Sequence, residues 1–209
     1  MAKSTLVPNM EFSKLASDAQ VEKTSAALRA RGINVMIAQN SAEAKAAVLG
    51  LLPKDQEIFT GSSATVDTLG ISAEVDANYN SLRVKMSKMD YATQGGEMMK
   101  MGATPAVMIG SVHAVTEEGS IVVASATGSQ LAGYASGAAQ VIWVIGSQKI
   151  VPTLEKAMQR VEEYSLALED ERALNVYGVN SAINKMLIIH RETNPNRTTL
   201  VIVKENLGF

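Results

Sequence analysis

Two short runs of small residues carry the clearest chemistry in this chain of 209 residues. One is Thr60-Gly61-Ser62-Ser63-Ala64-Thr65, after an apolar run ending near Phe59. The other is Ser125-Ala126-Thr127-Gly128-Ser129-Gln130, after Ile121-Val122-Val123. A turn of this composition between a strand and a helix leaves main-chain N–H groups unpaired where the helix dipole favours negative charge. Gly61, Ser62, Ser63, Thr65, Gly128, Ser129 and Gln130 are therefore candidate ligand-binding residues for a phosphate or carboxylate. Between the runs stands Glu117-Glu118-Gly119, an acid beside a tight turn, with His113 just upstream. Glu117 and His113 are the candidate catalytic residues, and Gly119 is placed with the ligand-binding set. A carboxylate can act as general base or nucleophile, and a histidine can donate to a substrate carboxylate or move a proton. In a strand Glu118 points away from Glu117, so at most one of them faces a pocket. The plainer readings are capped turns, a solvated acidic hairpin and a core histidine.

Other chemistries lack their residues. Neither run matches G-x-G-x-x-G or the Gly-Lys-Ser/Thr ending of a nucleotide phosphate loop, so no NAD or ATP is inferred and the cofactor is left unknown. There are no cysteines, hence no thiolate nucleophile, no disulfide and no cysteine-ligated zinc or iron–sulfur centre. Two histidines far apart, without further ligands at metal spacing, give no metal site. Aromatics make up 4% of the chain and the net charge is −2, without a basic run, so nucleic acid is not an expected partner. The start of the chain shows no apolar leader, and the longest apolar run, around Val141 to Ile145, is strand-length. A cytoplasmic protein without membrane segments is the expectation.

Alternation of strand and helix positions these groups. Residues 11–31 read as a helix closed by Gly32, followed by a strand over 33–38 and a helix from Ser41 to Leu52. Ala106 to Gly110 and Val141 to Gly146 read as strands buried on both faces. Pro152 opens the next helix, and 186–190 and 199–203 are strand-like. Residues 72–94 fit neither period, and Gly95-Gly96 precedes a short helix whose methionines read as core filler. The expected fold class is α/β, a mostly parallel sheet with helices on both faces. Its ligands would bind beyond the carboxyl ends of the strands. The expected division is an N-terminal helical extension over 1–25 and one α/β domain over 26–209, with Phe209 packed on the body or on a partner.

From about Ala26 to Phe209 the segments together resemble the lactate utilization (LUD) domain family, and in particular its protein C-like branch. The resemblance rests on Gly61-Ser62-Ser63-Ala64-Thr65 with Leu69-Gly70-Ile71, and on Thr116-Glu117-Glu118-Gly119-Ser120-Ile121-Val122. Gly128, Val141 to Gly146, Lys149-Ile150-Val151 and the ending Val201 to Phe209 continue it. It implies a fold like that of the NagB/RpiA/CoA-transferase superfamily and a part in oxidising lactate to pyruvate beside iron–sulfur partner subunits. The Glu117-x-Gly119 turn resembles the one bearing the nucleophilic glutamate of CoA transferases. The chain departs from the family in lacking cysteines before its last strands and in carrying Ser129-Gln130 where relatives carry Asn-Arg. Two functional readings follow. One is a lactate-utilization component that binds a small anionic carboxylate or acyl compound, with CoA-transferase-like chemistry at Glu117. The other is a non-catalytic assembly or ligand-sensing subunit of an iron–sulfur complex. A homodimer is left open.

Overall fold

The seven-residue run Gln140–Gly146 (β7) is apolar on both faces and buried from Val141 onward, the pattern of a central parallel strand. In the computed structural model, which describes residues 4–209, it lies inside a six-stranded parallel sheet. The other strands are Asn34–Ala38 (β1), Glu57–Thr60 (β2), Asn80–Ser81 (β3), Val107–Gly110 (β4) and Thr198–Val203 (β10). Their order is β1-β10-β7-β4-β2-β3. A second sheet of four strands comprises Ala114–Thr116 (β5), Ile121–Ser125 (β6), Ile150–Val151 (β8) and Lys185–Ile189 (β9), in the order β8-β5-β6-β9. The β5–β6 and β6–β9 pairs are antiparallel.

Alternation along the central strands builds two cores. Met108, Val141, Trp143, Ile145, Leu200 and Ile202 face one side, where Val21 and Leu28 of the helix Asp18–Ala30 (α1) and Val115, Ile121 and Val123 of the second sheet cover them. Val107, Ile109, Ile142, Val144, Val201 and Val203 face the other, under the helices Ser41–Gly50 (α2), Ala64–Thr68 (α3) and Ile71–Asn78 (α4). A third cluster joins the outer face of the second sheet to Ala157 and Val161. These belong to a continuous helical stretch: Leu154–Arg160 (α7), a π-helical turn over Val161–Ser165, and Leu166–Tyr177 (α8). The architecture is therefore α/β, with helices on both faces of a parallel sheet. No helix among the described residues is long and apolar enough to cross a membrane.

Local signals moved several boundaries. The helix expected over 11–31 divides into a 3-10 turn at Met10–Ser13 and α1, because Ser17 and Gln20 form a reciprocal capping box that starts α1 at Asp18. Thus α1 spans the 25/26 position, with Val21 and Leu28 both in one core. Residues 1–3, where the apolar-leader reading began, lie outside the described residues. The undecided stretch holds α4, β3 and Leu82–Met86 (α5). Gly95-Gly96 lies inside a longer helix, Tyr91–Ala103 (α6), capped by Asp90. On it Met99 is 67% exposed rather than core filler. Asn40, not Ser41, caps α2, and Thr153 caps α7, one residue after Pro152.

The turn between β5 and β6 is seated on α1. Gly119 has φ +86°, and an added Cβ would lie 2.9 Å from the Ala27 carbonyl carbon. Gly119→Ala is expected to lower unfolding free energy by about 2 kcal/mol, from left-handed strain and overpacking together. An unchanged urea midpoint would show that α1 does not rest on this turn.

Candidate functional site

At the carboxyl ends of β2 and β4 the chain leaves the sheet in opposite directions. After β2 it enters α3 and α4 on one face; after β4 it passes through Ser111–His113 into the second sheet on the other. Such a divergence opens a crevice at the strand ends. Here it forms a cleft of about 800 Å³.

Lys149 lies in the cleft wall, at the join between a 3-10 turn (Ser147–Lys149) and β8, and is 1% exposed. Its Nζ donates to Thr65 Oγ1 (3.0 Å), Ser111 Oγ (3.0 Å) and the main-chain oxygen of Phe209 (2.9 Å). The Thr65 and Ser111 hydroxyls spend their own protons on Leu207 O (3.2 Å) and Val144 O (2.7 Å), so three acceptors face one ammonium. No carboxylate side chain is among these partners. Burial and the nearby Arg160 cation push the Lys149 pKa well below the ordinary lysine value.

Arg160, at the end of α7, is fully buried. It donates to His113 O, Ser165 Oγ (3.0 Å) and Gln148 O (3.4 Å), and its guanidinium carbon lies 4.9 Å from the centre of the Tyr164 ring. Nη2 finds no partner among the described residues. Burial lowers its pKa to about 10. The π-helical turn that follows it brings both Tyr164 and Ser165 to the guanidinium, a local irregularity often found beside functional sites.

His113 lines the cleft ahead of β5. Its Nδ1 accepts the Ala124 N–H (3.1 Å), so the proton of the neutral ring sits on Nε2. Burial first, and then the charges of Lys149 and Arg160, lower its pKa to about 3. The ring is thus a neutral Nε2–H donor at neutral pH. A buried cation, Lys149, and a neutral donor, His113, line a cleft that also holds hydroxyls, with the Arg160 cation buried behind its wall. Such an arrangement favours an anion.

The structure brings most of the sequence-derived candidates together. Gly61, Ser62, Ser63, Thr65, His113, Ser129 and Gln130 line this one cleft. Several of their hydrogen-bonding groups are already engaged within the protein. The Gly61 N–H is used by Ile109 O (3.0 Å), the Gly128 N–H by Ser125 Oγ (2.8 Å) and the Ser129 N–H by Thr127 Oγ1 (3.3 Å). Gln130 accepts from the Ser125 hydroxyl at 2.9 Å. Ser63 caps α3, which has only five residues and a correspondingly short dipole. Thr65 contributes through its hydroxyl on Lys149.

Glu117, Gly119 and Gly128 are not in the cleft lining. Four residues of extended chain separate Glu117 from His113, about 13 Å. The Glu117 carboxylate instead accepts from Lys23 Nζ (2.7 Å) and Gln20 Nε2 (2.9 Å) on α1, which hold its pKa below the usual carboxylate value. Glu118 is exposed. The acidic turn is thus tied to the helix beside it, and its local resemblance to a reactive-glutamate turn does not carry it into the cleft. Phe209, expected to pack on the body or on a partner, is half-buried and lines the cleft.

Lys149 and Arg160 were missed as functional residues. In sequence Lys149 flanks a strand and Arg160 ends a helical turn, both ordinary places for solvated charge. The one local signal was Gln148-Lys149 set between two apolar runs, Val141 to Gly146 and Ile150-Val151.

A family model described as "LUD domain" matches residues 21–203. A solved structure of a DUF162 family protein from Deinococcus radiodurans is similar, with a TM-score of 0.57 at 12% identity, covering 91% of this chain and 99% of that one. At that identity the likeness speaks for the fold. Another, eIF2B beta from Chaetomium thermophilum, has a TM-score of 0.30 at 14% identity over 66% of this chain and 44% of that one, and carries no argument. Nothing among curated proteins matches.

The His113 environment sets a pH dependence. Between about pH 6.5 and the folded value of about 3, the unfolded chain binds a proton here that the folded chain refuses. Folding stability therefore falls as pH drops through this window, by up to about 1.4 kcal/mol per pH unit from this group. Urea midpoints taken from pH 7 down to pH 4 are expected to show a shallower fall in His113→Gln. Equal slopes would place the ring in water.

Proposed function

The chain belongs to the LUD domain family, whose members point to lactate utilization, and from that premise we propose that its cleft binds a small anionic carboxylate or acyl compound of 2-hydroxy acid metabolism. The observation that carries this reading is Lys149: a buried amine in the cleft wall, held by the Thr65 and Ser111 hydroxyls and the Phe209 main-chain oxygen, with a second buried cation beside it. A ligand carboxylate would add negative charge beside the two cations. The Ser111 and Thr65 hydroxyls and His113 Nε2–H would complete its hydrogen bonds.

A non-catalytic role, as a ligand-sensing or assembly subunit beside iron–sulfur partners, is the second reading. What favours it is that Glu117, outside the cleft lining, is taken up by an ion pair with Lys23 and a hydrogen bond from Gln20, which leaves acyl transfer through that carboxylate without an approach to a bound ligand. Turnover lost in Glu117→Gln would restore the catalytic reading.

Thermal-shift titration separates these. L-lactate, pyruvate and longer acyl carboxylates are the probes, with an uncharged amide analogue as control. A carboxylate at a hundredfold excess over its dissociation constant is expected to stabilise the wild type by about 2.7 kcal/mol. The shift should vanish in Lys149→Met and persist in Glu117→Gln. No shift with any carboxylate, or one of equal size in Lys149→Met, would defeat the anion-site reading.

A further inference from the structure

A three-carbon acid would fill little of a cleft of about 800 Å³, a volume in the range that holds drug-sized ligands. One wall shows where the remaining space runs. Val161, Ser165, Glu169, Ala173 and Tyr177 recur at every fourth position of the continuous helical stretch, and each lines the cleft. Residues so spaced lie on one side of a helix. At about 1.5 Å per residue this wall is about 24 Å long. Its near end is the anion end, because Arg160, next to Val161, donates to His113 O. Its far end is the carboxyl end of α8.

The far half of this groove is built from both sides. Gly178, with φ +72°, closes α8 and turns the chain back. Asp170, 2% exposed, accepts from the Ser181 N–H (2.7 Å) and from Asn180 Nδ2 (3.1 Å), which fixes the returning segment beside the helix. That segment adds Val179 and Ile183 to the cleft lining, with Leu166, Ala173 and Tyr177 on the helical wall. The charges here satisfy each other: Arg172 Nε and Nη2 reach the two Glu169 oxygens at 2.7 Å each. The groove therefore asks for no second ionic group on its ligand. The Arg172 guanidinium carbon also lies 5.4 Å from the Tyr177 ring centre and steadies that ring. Tyr177 and Val179 are nonetheless each 59% exposed, leaving apolar surface along a cleft.

Polar recognition at one end and apolar surface along the other call for a ligand with both characters. We propose that the cleft takes a 2-hydroxy acid longer than lactate, its carboxylate at the Lys149–His113 end and its alkyl chain along the helical wall toward Tyr177 and Val179. The proposal rests on the reading of this cleft as a carboxylate site, and it narrows the substrate class within that reading. Each methylene laid on the wall leaves water, and full burial of one is worth about a fourfold gain in affinity. The wall is partly open to solvent, so the gain expected here is about twofold to fourfold per methylene.

A homologous series titrated by calorimetry against the full chain tests this. The probes are L-lactate and the 2-hydroxy acids of four, six and eight carbons, each kept below its micelle concentration. From three carbons to eight the dissociation constant is expected to fall by about thirtyfold to a thousandfold. Val179→Asp, and Tyr177→Ser as a second variant, are expected to flatten that gain. Met99→Ser removes a comparably exposed apolar side chain outside the cleft lining and should leave the gain intact. Urea midpoints check that each variant is folded. Lactate bound as tightly as the eight-carbon acid would overturn the proposal and leave the carboxylate site standing. An undiminished gain in both groove variants, or one lost equally in Met99→Ser, would overturn it too, since the chain would then lie elsewhere. Binding of no acid at any length, or equal binding of the neutral eight-carbon amide, would bring down the underlying carboxylate reading instead.

Discussion

Arg160 ties three separate parts of the chain together, and the cleft depends on it. Its guanidinium reaches Gln148 O, just before Lys149, then His113 O, just before β5, and Ser165 Oγ in its own helical stretch. A planar group with five donors can bridge three elements at once from fixed directions, which the rotating ammonium of a lysine cannot fix in the same way. Taking such a charge out of water costs several kcal/mol, and it is tolerated where acceptors surround it. The carbonyls, the hydroxyl and the Tyr164 face supply that surround. Burial lowers the proton affinity of Lys149 and His113 most, and the Arg160 charge lowers it further. One buried cation thus fixes the geometry of its neighbours and adds to their electrostatics.

The topology explains why a cleft opens beside this buried cluster. Chain segments leave β2 and β4 toward opposite faces of the sheet, and the second sheet stands off the first with α1 wedged beside it. Small residues after β2 keep the entrance wide. A Cβ at Gly61 would stand 3.6 Å from the Tyr134 hydroxyl, and one at Gly110 would meet that hydroxyl at 1.7 Å. Tyr134 in turn packs edge-on against Trp143 at 5.4 Å between ring centres. The site is thus framed by strand ends, by the turns that follow β2 and β6, and by Tyr134 of the aromatic pair.

The sheet was legible in the sequence because its strands are continuous apolar runs flanked by turn residues, Val141 to Gly146 above all. The two glycine turns were legible for the same local reason, and both reach the cleft. What escaped reading was long-range. Glu117 looks reactive beside Gly119, yet its partners Gln20 and Lys23 lie far back in the chain on α1. Lys149 and Arg160 look like surface charges, because only the stacking of the second sheet on the first buries them. The extra length of α6 escaped for a different reason: Gly95-Gly96 lowers helix propensity, but the Asp90 cap and the Tyr91 ring lying 3.5 Å from the Gly95 Cβ position carry the helix through.

The central placement of β10 bears on how the protein is made. The strand at the sheet's edge, β1, has β10 as its neighbour, with Asn34 opposite Thr199, and β10 also pairs with β7. During synthesis β1 therefore emerges from the ribosome long before the only strand it can hydrogen-bond to. Its amides and carbonyls, and the apolar faces of Val201 and Ile202's future neighbours, must wait through translation of nearly the whole chain. Pairing of such distant segments slows folding and leaves nascent chains exposed to aggregation. Slower elongation, or a chaperone bound over the early half, would be felt by this molecule more than by one whose strands pair in order.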